Sequence, residues 1–92
     1  MIESFRHKGL RQLFESDVAK GVNAEHVRKL RQILAALDAA ETIDGLNVPT
    51  FGLHRLKGDL EGYWAVTVRA NWRVIFRLEA GRVFDVDLVD YH

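Results

Sequence analysis

Three adjacent residues, Asp90, Tyr91 and His92, set a carboxylate and an imidazole on either side of an aromatic ring at the last positions of the sequence. Both groups can move protons. Held at a sheet edge, they are suitable acid/base groups for cleaving a phosphodiester, and the rest of the chain supplies cations to accompany them. Taken alone, the tripeptide reads as a solvated acidic tail. What argues for a fixed terminus is the sequence just before it. Phe84, Val86 and Leu88 alternate with Asp85, Asp87 and Val89, the period-two pattern of a strand with one buried face, here the first set.

The elements that must position this ending are legible upstream. Met1-Ile2 with Phe5 suggests a short first strand, and Leu10, Leu13 and Phe14 then share one helix face, with Gly9 a weakening residue and Gly21 a closing one. Asn23 is a good N-cap for a second helix over about Ala24 to Ala40, with Val22 and Val27 placed for a hydrophobic staple. Its apolar stripe is Val27, Leu30, Leu34 and Leu37, and Arg28, Lys29, Arg31 and Gln32 lie mostly off it as a solvated face. Thr42 to Thr50, with Gly45, Asn47 and the only proline, reads as a loop. Strands follow over Phe51 to Lys57, Tyr63 to Arg69, Trp72 to Leu78 and Arg82 to Val89. Helices first and strands afterwards predict an α+β domain, with two N-terminal helices on one face of a twisted, largely antiparallel sheet.

The 92 residues suffice for one domain, 1–92, since a chain of this size buries roughly 60–65% of its unfolded surface. Without cysteine there are no disulfides or thiolate metal sites, and no run approaches the ~18 apolar residues of a membrane span. A soluble, cytoplasmic protein is expected. Lys and Arg number 13, as do Asp and Glu, so a surface for an anionic partner must come from segregated charge.

Register indicates where the cations gather. If Ala70-Asn71-Trp72 form a hairpin loop, Arg69 faces Arg73, Val68 faces Val74, and Trp64 faces Leu78. Trp64, Val66, Val68, Val74, Phe76 and Leu78 then make the core face. Tyr63, Thr67, Arg69, Arg73 and Arg77 make the other face, with Ile75 among them. Arg77 is expected to pair with an aspartate of the last strand. Arg69 opposite Arg73 would set like charges across strands, which predicts an anion held between them or at least a strained surface. Strict alternation sends His54 with Leu56 toward the core and Lys57 to the other side. Both can face the arginines only with a bulge or an early end to that strand. His7 and His26 read as surface residues.

Four stretches together carry a family likeness: Leu53-His54-Arg55-Leu56-Lys57-Gly58-Asp59, Gly62-Tyr63-Trp64, Val68-Arg69-Ala70-Asn71-Trp72-Arg73 and Asp90-Tyr91-His92. The chain resembles the HigB toxins, members of the RelE/ParE superfamily of type II toxin–antitoxin systems. The opening Ile2-Glu3-Ser4-Phe5-Arg6-His7-Lys8-Gly9-Leu10 resembles theirs too, so the likeness spans the chain. The resemblance implies cleavage of messenger RNA in the ribosomal A site, without metal or other cofactor. It assigns that cleavage to His54, Lys57, Arg73, Asp90, Tyr91 and His92, and so favours a strand irregularity at His54. Family members often carry proline where Arg55 stands and an acidic residue where Val89 stands, departures that bear on substrate preference and rate more than on the chemistry. The implied partners are a HigA-like helix-turn-helix antitoxin, the ribosome and mRNA, with DNA reached only through the antitoxin complex and no membrane.

Cleavage through the 2′-hydroxyl needs a base near that oxygen, cations on the phosphate and an acid for the departing 5′-oxygen. Arg73, with Lys57 and Arg69, would hold the phosphate as RNA-binding residues. His54, Asp90 and His92 are candidate proton carriers, with base and acid unassigned, and Tyr91 would stack on a base or anchor the terminus. Two other functions fit such a chain: a ParE-like poison of DNA gyrase, which needs no acid/base set, and a non-catalytic RNA- or protein-binding module.

Overall fold

The computed structural model describes residues 1–91, so His92 lies outside the described residues. Helices α1 (Lys8–Ser16) and α2 (Val27–Ala39) are followed by strands β1 (His54–Arg55), β2 (Trp64–Arg69), β3 (Trp72–Glu79) and β4 (Arg82–Asp90). The strands form one antiparallel sheet in the order β1-β2-β3-β4. This is the α+β combination of two helices and an antiparallel sheet that the pattern predicts.

Side chains supply the missing partners at the start of α1 and of the turn that leads into α2. The His7 ring starts α1 by accepting the Leu10 N–H at 3.1 Å, so His7 is a cap rather than a plain surface residue. Asn23 accepts the Glu25 N–H at 2.8 Å and opens a 3₁₀ turn, Ala24–His26, that leads directly into α2. His26 is buried there, contrary to its expected exposure, because the turn packs inward against the β2–β3 hairpin. Leu10, Leu13, Leu30, Ile33, Leu34 and Leu37 meet Val66, Val68, Val74, Phe76, Val83 and Val86 in the main core.

Gly9 has a use that its low helix propensity hides. A Cβ on Gly9 would stand 2.3 Å from the Gly21 carbonyl oxygen, and one on Gly21 would stand 2.7 Å from the Gly9 Cα. The two backbones touch, which lets the α1–α2 connection fold back over the start of α1. Gly21 does not close α1. The helix ends earlier, at Asp17 in the left-handed region (φ 57°), where the Asp17 N–H reaches the Gln12 carbonyl.

Several elements depart from strict alternation. Met1-Ile2 and Phe5 form no regular strand. Ile2 and Phe5 make isolated parallel bridges to Val83 and Val86. The expected Phe51 to Lys57 strand shrinks to two residues, although the Phe51 carbonyl still accepts the Thr67 N–H at 2.6 Å. The β2–β3 loop is Ala70-Asn71 alone, and Val66 pairs with Val74 and Thr67 with Arg73. A bulge between Thr67 and Arg69 then sets Arg69 opposite Trp72, so Arg69 and Arg73 are not a cross-strand pair. The inference of an anion clamped between them falls with that register. A second bulge, between Arg77 and Ile75 on the β4 side, places Phe84 opposite Arg77 and outside the main core, where the Arg77 guanidinium lies 5.4 Å from its ring centroid.

The Gly9–Gly21 contact yields a test. Gly9→Ala should lower stability by about 1–3 kcal/mol, the usual cost of forcing an extra carbon into a filled site. Gly45→Ala, whose new methyl would meet only Ala40 atoms at 3.8 and 3.9 Å, should change it little. Urea unfolding midpoints compare the two, and equal shifts would contradict the close approach.

Candidate active site

The sheet has a second apolar layer on the face away from the helices. Leu56, Ala65 and Ile75 are buried there, with Leu60, Tyr63 and Val89 packed against them. This layer decides where His54 points. His54 pairs with Ala65, Ala65 with Ile75, and Ile75 with Asp87, so the four form one row on the outer face. His54 does share its side with Leu56, as alternation requires, but that side is the outer one. The ladder is regular at this point: Arg55 pairs with Trp64 and the Leu56 N–H bonds to the Tyr63 carbonyl at 3.0 Å. No strand irregularity is needed.

The next row on the same face is Thr67, Arg73 and Val89. Strand spacing and rise put the Cα atoms of His54 and Arg73 roughly 12 Å apart, near enough for both side chains to reach one bound nucleotide step. The Tyr91 N–H extends the β4 ladder to the Asn71 carbonyl at 2.8 Å, and alternation from Val89 keeps Tyr91 in phase with Arg73. His54, Arg73 and Tyr91 are therefore brought to one face.

His54 is exposed, and its Nδ1 lies 3.1 Å from the Gly52 carbonyl. A carbonyl only accepts, so Nδ1 carries the hydrogen. In the neutral ring that leaves the lone pair on the opposite nitrogen, Nε2. Gly52 makes this possible with a left-handed backbone (φ +56°), in a place where a Cβ would stand 3.0 Å from the Thr67 Oγ1.

The three arginines are in different situations. Arg77 is committed: its Nε donates to Asp85 at 2.9 Å and a terminal nitrogen meets Glu79 at 3.1 Å. The Asp85 hydrogen bond, with the Glu79 charge, raises the Arg77 pKa above its ordinary value, so this pair is the cross-strand ion pair that the sequence indicates. Arg69 turns to the helix side, 3.4 Å from Glu25, and does not join the outer face. Arg73 donates to the carbonyls of Ala70 and Trp72. Both partners are neutral acceptors, so its positive charge is not cancelled by them.

Lys57 is exposed in the segment after β1 and borders a cavity of about 200 Å³ with Arg55, Leu56, Glu61 and Gly62. Asp90, the last residue of β4, pairs with Trp72 and is in phase with Leu88, on the helix side at the end of the sheet. Arg69 and Asp90 thus stand apart from the His54–Arg73 face. Among the described residues no three His, Asp or Glu side chains come together as metal ligands would.

A family model described as the RelE-like toxin of the type II toxin–antitoxin system HigB matches residues 3–92. The chain belongs to the HigB family. A curated relative, Endoribonuclease HigB of Proteus vulgaris, is 49% identical over 92 residues, the full length of both chains. At the level of fold, this HigB-family chain superposes on a YafQ variant from E. coli with a TM-score of 0.63 and 21% identity, over 98% of this chain and 91% of that one. It also matches the YoeB–YefM complex from Staphylococcus aureus with a TM-score of 0.59 and 16% identity, over 100% and 95% of the two chains.

Alternation alone missed the second apolar layer of this HigB-family fold and so sent His54 to the core, while the resemblance turned it to the arginine face through an irregularity that the ladder does not have. The available signal was Ile75, an aliphatic residue set among arginines. The same geometry predicts that His54 holds the Nδ1–H tautomer, observable by ¹⁵N NMR of the imidazole. Gly52→Ala, which strains a left-handed residue by about 1–2 kcal/mol, should lower the melting temperature and weaken that tautomer preference. An unchanged imidazole spectrum in the variant would show that the Gly52 carbonyl does not orient the ring.

Proposed function

We propose that this HigB-family toxin is an endoribonuclease that cuts mRNA in the ribosomal A site by acid/base chemistry through the 2′-hydroxyl, without a metal. The observation that carries the reading is the outer face: an imidazole with its Nε2 lone pair directed away from its tether, in the row beside an arginine that is paired with no carboxylate among the described residues. The 49% identical relative named Endoribonuclease HigB supports the same activity.

In this reading a scissile phosphate lies over Ala65 and Thr67, between His54 and Arg73. His54 Nε2 accepts the 2′-hydroxyl proton. Arg73, with Lys57, stabilises the charge that develops on the phosphoryl oxygens. His92 is the proposed acid for the departing 5′-oxygen, Asp90 is a proton carrier that supports it from the sheet edge rather than from the His54–Arg73 face, and Tyr91 stacks on a base. Arg69 contributes charge at the rim rather than a contact to the reacting phosphate. As a toxin of a type II system the protein has an antitoxin partner, for which the family name points to a HigA-like protein, with both acting in the cytoplasm.

An exposed face with no enclosing walls, on a chain of balanced charge, cannot orient a flexible RNA by itself. The ribosome supplies that orientation. Purified protein should therefore cut mRNA on programmed ribosomes and leave the same transcript largely intact when it is naked. Arg73→Ala should lose about 10²-fold or more of the ribosome-bound rate, the scale of losing one charge-stabilising donor. Arg77→Ala should stay within a few-fold while melting earlier. Uncut programmed ribosomes would reject the nuclease reading, and equal losses in the two variants would reject the assignment of Arg73.

His92 separates a chemical terminus from a structural one. His92→Gln keeps a polar side chain and removes the titratable nitrogen, so cleavage should fall by about 10²–10⁴-fold with the melting temperature unchanged. Full cleavage by this variant would leave proton transfer to His54 and Asp90.

A further inference from the structure

Six large apolar side chains are exposed among the described residues, and two of them, Trp72 and Tyr91, stand at the same end of the sheet. The two tryptophans of the chain are treated differently. Trp64 packs against the main core and is covered by the Arg55 guanidinium at 5.0 Å. Trp72 is 36% exposed, although it opens a strand whose next apolar residues, Val74, Ile75 and Phe76, are 0–2% exposed.

The Trp72 indole is nevertheless held. The His26 ring supports it, with centroids 5.9 Å apart and a tilt of 58°. His26 is itself 5% exposed, the one buried polar side chain among the described residues, and its backbone N–H bonds to the Asn23 carbonyl at 2.9 Å. Trp72 pairs across β2 with Arg69, whose guanidinium reaches Glu25 in the same 3₁₀ turn, and across β4 with Asp90. Arg73, the next residue, projects from the other face at the same end of the sheet. A large ring fixed from behind and open in front, with the Arg69 guanidinium on the same side of the sheet, is suited to an unpaired nucleobase. Every base offers a π-face, and the guanidinium groups favour the attached phosphates.

We infer that Trp72 is a nucleobase-binding residue, its exposed indole stacking on an unpaired base where the nucleotide chain rounds the end of the sheet from the phosphate that Arg73 engages. The inference rests on the nuclease reading above and deepens it by adding a binding residue to that site. The base belongs either to the cut mRNA or to the ribosomal RNA beside it. His26 is a positioning residue, acting only through the indole.

Two measurements keep this inference separate from the reading beneath it. In Trp64→Phe protein, Trp72 is the sole indole. Titration with a 2′-O-methyl RNA hexamer, which cannot be cut through its 2′-oxygen, should quench its fluorescence saturably, and ribose 5-phosphate should not. No quenching at millimolar hexamer in the folded variant overturns the inference whether or not the protein cuts RNA.

The second measurement uses the otherwise native chain on programmed ribosomes. Trp72→Leu should lower kcat/KM by about tenfold or more, the scale of one lost base–aromatic stack, chiefly through KM. Trp72→Phe should recover most of it. Wild-type kinetics for the leucine variant, or equal losses for leucine and phenylalanine, overturn the stack. Templates with one abasic position near the cut distinguish the two sources. If the leucine defect vanishes on one such template, the mRNA base is the partner. If it persists on all of them while the hexamer still quenches, the base is ribosomal.

Discussion

The phase of β4 depends on one strained residue. Val83 and Val86 are both fully buried in the core, yet they are three positions apart, and a regular strand would send one of them to each face. The bulge resolves the conflict by inserting Asp85 at φ 56°, a backbone region costly for a residue with a Cβ. Several interactions offset that strain. Arg77 holds the Asp85 carboxylate, the Asp85 N–H donates to the Ser4 hydroxyl at 2.8 Å, and the Tyr63 hydroxyl reaches the carboxylate at 3.5 Å. The amino-terminal segment repeats the same three-residue step, since Ile2 bridges Val83 and Phe5 bridges Val86. Everything after the bulge inherits its phase. Without it Asp87 and Val89 would turn to the helix side, and Tyr91 would lose its place beside Arg73.

The second bulge, between Thr67 and Arg69, does the reverse on β2. It removes Arg69 from the outer face and brings it to Glu25, so two neighbouring arginines of one hairpin finish on opposite sides of the sheet. Arg73 is thereby relieved of a like-charged neighbour, and the carbonyls of its own hairpin fix the guanidinium without neutralising it. Two irregularities in otherwise regular strands thus determine which charged groups share a surface.

These devices explain what was legible in the sequence. The second helix, the antiparallel sheet and the Arg77–aspartate pair follow from periodicity and charge, because α2 and β3 carry long patterns that few registers satisfy. The hairpin register did not follow. Its correction depends on bulges whose strained residues, such as Asp85, carry none of the glycine signal that usually marks such positions. His54 illustrates the other limit. Alternation correctly joins it to Leu56, but assumes one core. The sheet has two apolar layers, so a residue on the Leu56 side can be exposed at the edge and part of a site. The family resemblance proposed the residue for the site and implied a distortion that the regular β1–β2 ladder does without.

Charge balance and site design then become one argument. A chain with 13 basic and 13 acidic residues has no excess of cations to draw RNA from solution. It distributes the cations it has. Arg31 is paired with Asp17, Arg69 with Glu25, and Arg77 with Asp85 and Glu79, while Lys29 donates to the Thr50 carbonyl and lies over Phe51. The Arg73 charge is directed by neutral carbonyls on the face that carries His54. A local positive charge on a neutral protein contributes little to long-range capture and much to an anion already delivered to it. Such a site is suited to a substrate held in place by a larger assembly, and poorly suited to searching free RNA, because long-range steering requires a field that this chain does not have.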